Sequence, residues 1–167
     1  RAAMSEFKEK FDEYLDKQQL MDIQVLSTLG LTKDAIKALG AQDNIERAVG
    51  AYCIDAWAGD LVAKAFSITD GMNLLTVTSG RMPESPDECI VDKNLLERMK
   101  ISVGDSITID PSDDYEDCLT HKNFTIVGTA VSPYYISVER GSASIGSGNV
   151  RAYVYLPESA FDLDYYT

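Results

Sequence analysis

The chain has 167 residues, 45% of them hydrophobic and 25% charged, with a formal net charge of −12. That length fits a single domain and can bury roughly two-thirds of the unfolded surface, so folding requires neither a disulfide nor a metal. So large an acidic excess excludes a nucleic-acid partner and argues against docking on anionic lipid through a basic patch; its ordinary role is solubility.

Residues 3–18 read as an amphipathic helix, with Met4, Phe7, Phe11, Tyr14 and Leu15 at spacings of three and four between Lys, Glu and Asp. The expected home for this stripe is the domain's own sheet; the alternatives are a stalk continuing a membrane helix, or pairing with a neighbouring helix. Residues 20–26 alternate, with Met21, Ile23 and Val25 on one face, and predict a strand. Leu29-Gly30-Leu31 is a turn, Thr32 caps a short helix to about Leu39, and Gly40 ends it. Residues 45–55 and 60–69 are β-like and broken near Trp57-Ala58-Gly59-Asp60, which predicts a hairpin. Residues 74–78 add a short strand, and Pro83 and Pro86 keep 79–88 a loop.

From residue 89 to 109 the grammar is strand, helix, turn, strand. Asp92 is the predicted N-cap of a helix running to about Met99, Val103-Gly104-Asp105 turns the chain, and Ile107 and Ile109 share a strand face. Residues 110–122 form an acidic loop. Residues 124–131 are apolar or small on both faces and predict a central, covered strand. The final strand alternates, with Val150, Ala152, Val154 and Leu156 inward and Arg151, Tyr153 and Tyr155 outward; Pro157 then opens a closing helix that includes Phe161. Residues 141–149, GSASIGSGN, are a flexible loop by composition. Strands interleaved with three or four helices, without a regular βαβ series, predict an α+β fold. Its sheet is mixed or antiparallel, with packed helices, in a single domain spanning 1–167.

Candidate chemistry is sparse. The one histidine, His121, belongs to no nucleophile motif and reads as a solvated loop residue. Cys118-x-x-His121 has the local spacing of two zinc ligands but no second pair. Asp110, Asp113, Asp114, Glu116 and Asp117 lack the central Gly and terminal Glu of a calcium loop and read as a solvated charge run. No catalytic residue, metal or cofactor is assigned. Asn123-Phe124-Thr125 fits a glycosylation acceptor pattern of low specificity. Cys53, Cys89 and Cys118 are an odd set, compatible with one bridge but read as three free thiols. Pro133-Tyr134-Tyr135-Ile136 follows the covered strand directly, so its tyrosines either cover the core with their hydroxyls at the rim or form an interaction surface.

Several segments taken in order resemble one family. LSTLGL with the short helix after it (26–39), GRMPESPDECIVDKNLLERMKISVGDSITI (80–109), FTIVGTAVSPYYISVERG (124–141) and YVYLPESAF (153–161) are similar to the extracytoplasmic, MacB-like core domain of FtsX/MacB-type ABC transporter permeases of Gram-positive type. The resemblance implies a domain on the extracellular side of the cell membrane, between the first and second transmembrane helices, with residues 3–18 rising from the first span and a smaller inserted lobe around 80–122. It further implies a separate cytoplasmic ABC ATPase subunit, a second permease subunit or half, and work by mechanotransmission on a lipoprotein, peptide or antimicrobial substrate. Such domains are not enzymes. Tyr134, Tyr135, Glu139 and Arg140 match the family's recurring loop and are the nominated interaction residues. Family members continue past the equivalent of Thr167 with a further β-rich segment. The 167 residues contain no ~20-residue apolar run and no signal-peptide pattern, and a start at Arg1 is expected of an excised fragment. The competing expectation is an extracellular ligand-sensing or adhesion module that binds a peptide or envelope component, favoured by a pocket lined by Trp57 and the tyrosines. A hydrolase built on His121 or a cysteine is the remote third.

Overall fold

The structure, a computed structural model, describes residues 2–27, 30–112, 117–135 and 141–162. Seven strands form one mixed sheet: β1 (Cys53–Ala58), β2 (Leu61–Ser67), β3 (Thr76–Gly80), β4 (Glu88–Val91), β5 (Ser106–Pro111), β6 (Asn123–Val131) and β7 (Ala152–Leu156). Three helices accompany them: α1 (Ala2–Lys17), α2 (Lys33–Gly40) and α3 (Lys93–Met99). The sheet order is β3-β6-β4-β7-β2-β1-β5, and β5 pairs back onto β6. The result is an α+β fold whose sheet closes into a six-stranded barrel, with β3 left outside it.

Closure depends on β6. Its N-terminal half pairs antiparallel with β5 (Ser106↔Thr125, Thr108↔Asn123) and its C-terminal half with β3 (Thr76↔Val131, Gly80↔Gly128), while β4 runs parallel along it. The chain crossings at Gly80 and Gly128 are too tight for a side chain: a Cβ on Gly128 would lie 2.6 Å from the Ser79 carbonyl oxygen and 2.7 Å from that of Arg81. Both ladders shift register beside this point, between Val77 and Ser79 and between Cys89 and Ile90. Such bulges bend a sheet sharply enough to close it.

A barrel this narrow needs small residues inside. Ala56, Ala58, Ala63, Ala65 and Ala152 line β1, β2 and β7, leaving room for Ile54, Ile107, Ile109, Phe124, Ile126, Val154 and Leu156. Leu95 of α3 and Phe161 add to this core. Asp92 caps α3 as the sequence predicts, its Oδ1 accepting from Leu95 N–H at 3.2 Å. Thr32 caps α2 through its side chain in the same way.

Four expectations need correction. Residues 20–26 form no strand: they run without ladder partners, and Ile23, Val25 and Leu26 are exposed. A strand needs an edge to join, and barrel closure has consumed most of them. The first hairpin arm starts at Cys53 and not at 45; just before it, Tyr52 N–H donates to the Ser67 hydroxyl (2.8 Å) and Tyr52 O accepts from Ser67 N–H (2.9 Å). The closing helix is a single 3₁₀ turn, Glu158–Ala160, with Pro157 at the capping position before it. The stripe of α1 does not pack on the sheet: Met4 is 78% exposed and Phe7 72%. Residues 80–122 contribute β4, α3 and β5, and both strands belong to the common sheet.

Candidate functional site

Within β7 the expected alternation holds from Ala152 to Leu156, but Val150, expected inward, packs with the outer cluster, and the outward tyrosines are not solvated. Tyr153 and Tyr155 leave the barrel wall beside Phe66 of β2 and Ile90 of β4, forming a second apolar cluster on the outer face. The chain leaving β6 covers it. Pro133 is fully buried, and the 3₁₀ turn Pro133–Tyr135 lays the Tyr135 ring on Tyr153 (centroids 4.3 Å apart, 25° between planes) and against Phe66 at 5.2 Å. Burial, with Cys53 and Tyr134 nearby, pushes the Tyr135 hydroxyl above the ordinary phenol range, so it stays protonated. Tyr134 meets Tyr135 edge-on at 4.3 Å, and its hydroxyl donates to Gln24 Oε1 at 2.6 Å. The two tyrosines thus divide the roles left open by the sequence: Tyr135 covers the outer cluster, and Tyr134 sits at the rim and ties down the extended N-terminal segment. Glu139 and Arg140 lie outside the described residues.

Beside Tyr135 runs a groove of about 320 Å³, lined by Ser132, Tyr153 and Tyr155 and, across from them, by Lys93, Asn94 and Glu97 of α3. Asp92 at its floor is committed to structure, accepting from Leu95 N–H and from Tyr153 N–H (3.3 Å).

The Gly/Ser loop is held down. Ser142 pairs with Asn149, and Asp55 on the outer face of β1 accepts from both Ser144 N–H (2.6 Å) and Ser144 Oγ (2.9 Å). Lys64, directly opposite on β2, donates to the other Asp55 oxygen at 2.7 Å. Burial works to raise the Asp55 pKa, but the bonds from Lys64 and Ser144 overcome it and hold the carboxyl below its usual range. Gly146, at φ +59°, rests on the Trp57 ring and Val62; a Cβ there would come within 2.8 Å of the indole.

That contact shapes a second groove, of about 500 Å³, lined by Trp57, Asp60, Leu61, Val62, Arg98, Ser147 and Arg151. Trp57 and the tyrosines therefore occupy separate grooves. Neither Arg98 nor its pairing with Arg151 was visible in sequence, because 53 positions separate two ordinary surface arginines. Asn94 brings them together: its side chain donates to the Arg151 carbonyl at 2.7 Å, and Arg98 follows one helical turn later on the same face of α3.

The remaining candidates are scattered. Cys118 is fully buried in the barrel core, whereas His121 is exposed and bonded through Nδ1 to Thr120 Oγ1 at 2.9 Å. Asp113, Asp114 and Glu116 lie outside the described residues, and among the described residues no three His, Cys, Asp or Glu side chains converge on a metal-sized site. The three cysteines are free thiols, Cys53 exposed and the others buried; burial pushes Cys89 up to about 12. Among the described residues, no helix is long and apolar enough to cross a membrane.

Fold and surface together define an α+β barrel protein with an aromatic outer face and two open grooves. A scan of protein-family models finds no match to the chain, and comparisons with curated proteins and with solved structures find none either.

Proposed function

We propose that this chain is the non-catalytic extracellular domain of an FtsX/MacB-type ABC transporter permease, coupling ATP hydrolysis by a separate cytoplasmic ATPase subunit to movement outside the membrane. The ordered sequence resemblance motivates the reading. The observation that carries it is the attachment of α1. The segment that ends the helix is tied to the body, where Leu74 N–H donates to Gln18 O (2.8 Å), Asn73 N–H to Gln19 O (2.8 Å) and Arg47 to Gln19 Oε1 (2.9 Å). Its stripe of Met4, Phe7 and Phe11 is left exposed. A lone 16-residue helix with an unburied apolar face is marginal in water and calls for a partner, such as a stalk rising from a membrane span or a second permease subunit. The segment after α1 reaches the Tyr134 loop through Gln24, so displacement of the helix has a direct route to the aromatic face.

Fractionation of the full-length gene product tests this: it sediments with membranes and resists alkaline extraction. A parent protein released in soluble form would leave the second reading, an extracellular module binding a peptide or envelope component. The shared pocket of Trp57 and the tyrosines expected for that reading is not formed, since each lines a groove of its own.

A further inference from the structure

The exposed face of α1 has the spacing of a coiled-coil seam. Met4, Phe7, Phe11 and Tyr14 follow one another at intervals of three, four and three, the a and d positions of a heptad. Met4, Phe7 and Phe11 are exposed, and the Phe7 and Phe11 rings stack with centroids 6.2 Å apart, so an ordered apolar ridge faces outward. Residues flanking such a seam at e and g decide what pairs with it. Lys8 and Leu15 stand on one flank of α1, Lys10 and Lys17 on the other, and the three lysines are exposed. The carboxylates Glu6, Glu9, Asp12, Glu13 and Asp16 fall on b, c and f, away from the seam. Lys10 pairs with Glu6 at 2.9 Å inside the helix, an exposed bridge weak enough to exchange. The seam is thus edged by cations on a chain of net charge −12.

Those edges choose among occupants. Two antiparallel copies of α1 oppose lysine to lysine on both flanks; two parallel copies set Lys10 against Leu15 and gain no ion pair. An anionic lipid surface meets a helix with five carboxylates to three lysines. We infer that α1 is one half of a heterotypic coiled coil whose other half is an amphipathic helix with an apolar seam and Asp or Glu on its flanks. Phe7 and Phe11 pack into that seam, and Lys8 and Lys10 pair with its carboxylates. This names the chemistry of the partner that the permease reading calls for, and to that extent rests on it. Binding in solution and sedimentation of the parent with membranes are separate measurements, so either can fail without the other.

The test uses two labelled helical peptides of about three heptads, both with Leu at a and d. One carries Glu at every e and g position, the other Lys. Each is titrated with the 167-residue protein at about 0.15 M salt and followed by fluorescence anisotropy; charges more than about 8 Å apart are then largely screened. The net charge of the chain favours the Lys peptide, so a preference for Glu reports the flanks of α1. The Glu peptide should bind at least about tenfold more tightly than the Lys peptide. Phe7→Gln should weaken the Glu peptide about tenfold with circular dichroism unchanged. The double variant K8E/K10E, which keeps the seam whether or not Phe7→Gln frays the helix, should reverse the preference. No saturable binding of the Glu peptide, or equal binding of the two, overturns the inference. So does a dimer in sedimentation that Phe7→Gln dissociates, which would make the occupant a second copy. Capture on phosphatidylcholine–phosphatidylglycerol vesicles that Phe7→Gln abolishes overturns it in favour of lipid.

Discussion

Asp55 is the residue on which the outer face depends. It joins Lys64 on the neighbouring strand to Ser144 in the Gly/Ser loop, and the Asp55 and Lys64 side chains are largely withdrawn from water. Asp55→Ala leaves the Lys64 ammonium half-buried without its counter-charge and releases the loop, costing about 2–3 kcal/mol of unfolding free energy by urea denaturation. A loss below about 0.5 kcal/mol would mean that the loop is held by packing alone. Glu88 makes a different kind of tie, at the surface. It accepts from both Arg81 amines and from Glu84 N–H at 2.8 Å, and the Arg81 bond first, then the Glu84 bond, lowers its pKa from 4.5 to about 2. A carboxylate depressed in the folded state binds its proton later than in the unfolded one, so the unfolded chain holds more protons between these values. The tie is therefore complete above about pH 4.5 and is lost as pH falls toward 2. Carbon-detected NMR titration of the Glu88 carboxyl should give a midpoint near 2, and a midpoint near 4.5 would show the tie absent in solution. Some of this scale was legible: the Asp92 cap depends on local sequence alone. The Asp55–Ser144 bond was not, because it joins positions 89 apart.

At the scale of elements, local grammar succeeded where the partner was nearby. The β1–β2 hairpin, α3 and β5 follow from turn residues and spacing within a few positions. It failed where the outcome depended on what else the sheet offered. Residues 20–26 carry a valid strand pattern but join no ladder, and Tyr153 and Tyr155 alternate correctly yet are covered by a loop that only the closed fold brings there. The same holds for α1, whose periodicity predicted the helix but not the exposure of Met4 and Phe7. Its exposed stripe has a measurable signature. Replacing Met4 and Phe7 together by Gln should change the unfolding free energy of the 167-residue chain by no more than about 0.5 kcal/mol. Were the two side chains packed on the barrel, the same change would cost about 4 kcal/mol or more.

For the whole molecule, the covered central strand and the mixed sheet were readable from composition, whereas closure was not. The β5–β6 pairing that makes a barrel shares β6 with β3, whose tight crossing at Gly80 and Gly128 likewise appears only in three dimensions. The barrel carries an aromatic face, two grooves and a helix whose apolar stripe is exposed. That arrangement suits a body that is moved by something else. The account stands on this domain lying outside a membrane-bound parent, and surface labelling tests that most directly. Intact cells producing the full-length protein are treated with a membrane-impermeant amine reagent, then fractionated. The account predicts labelled lysines in this domain before lysis, on a protein that pellets with membranes. Labelling that appears only after lysis, or a labelled protein found free in the medium, would contradict it.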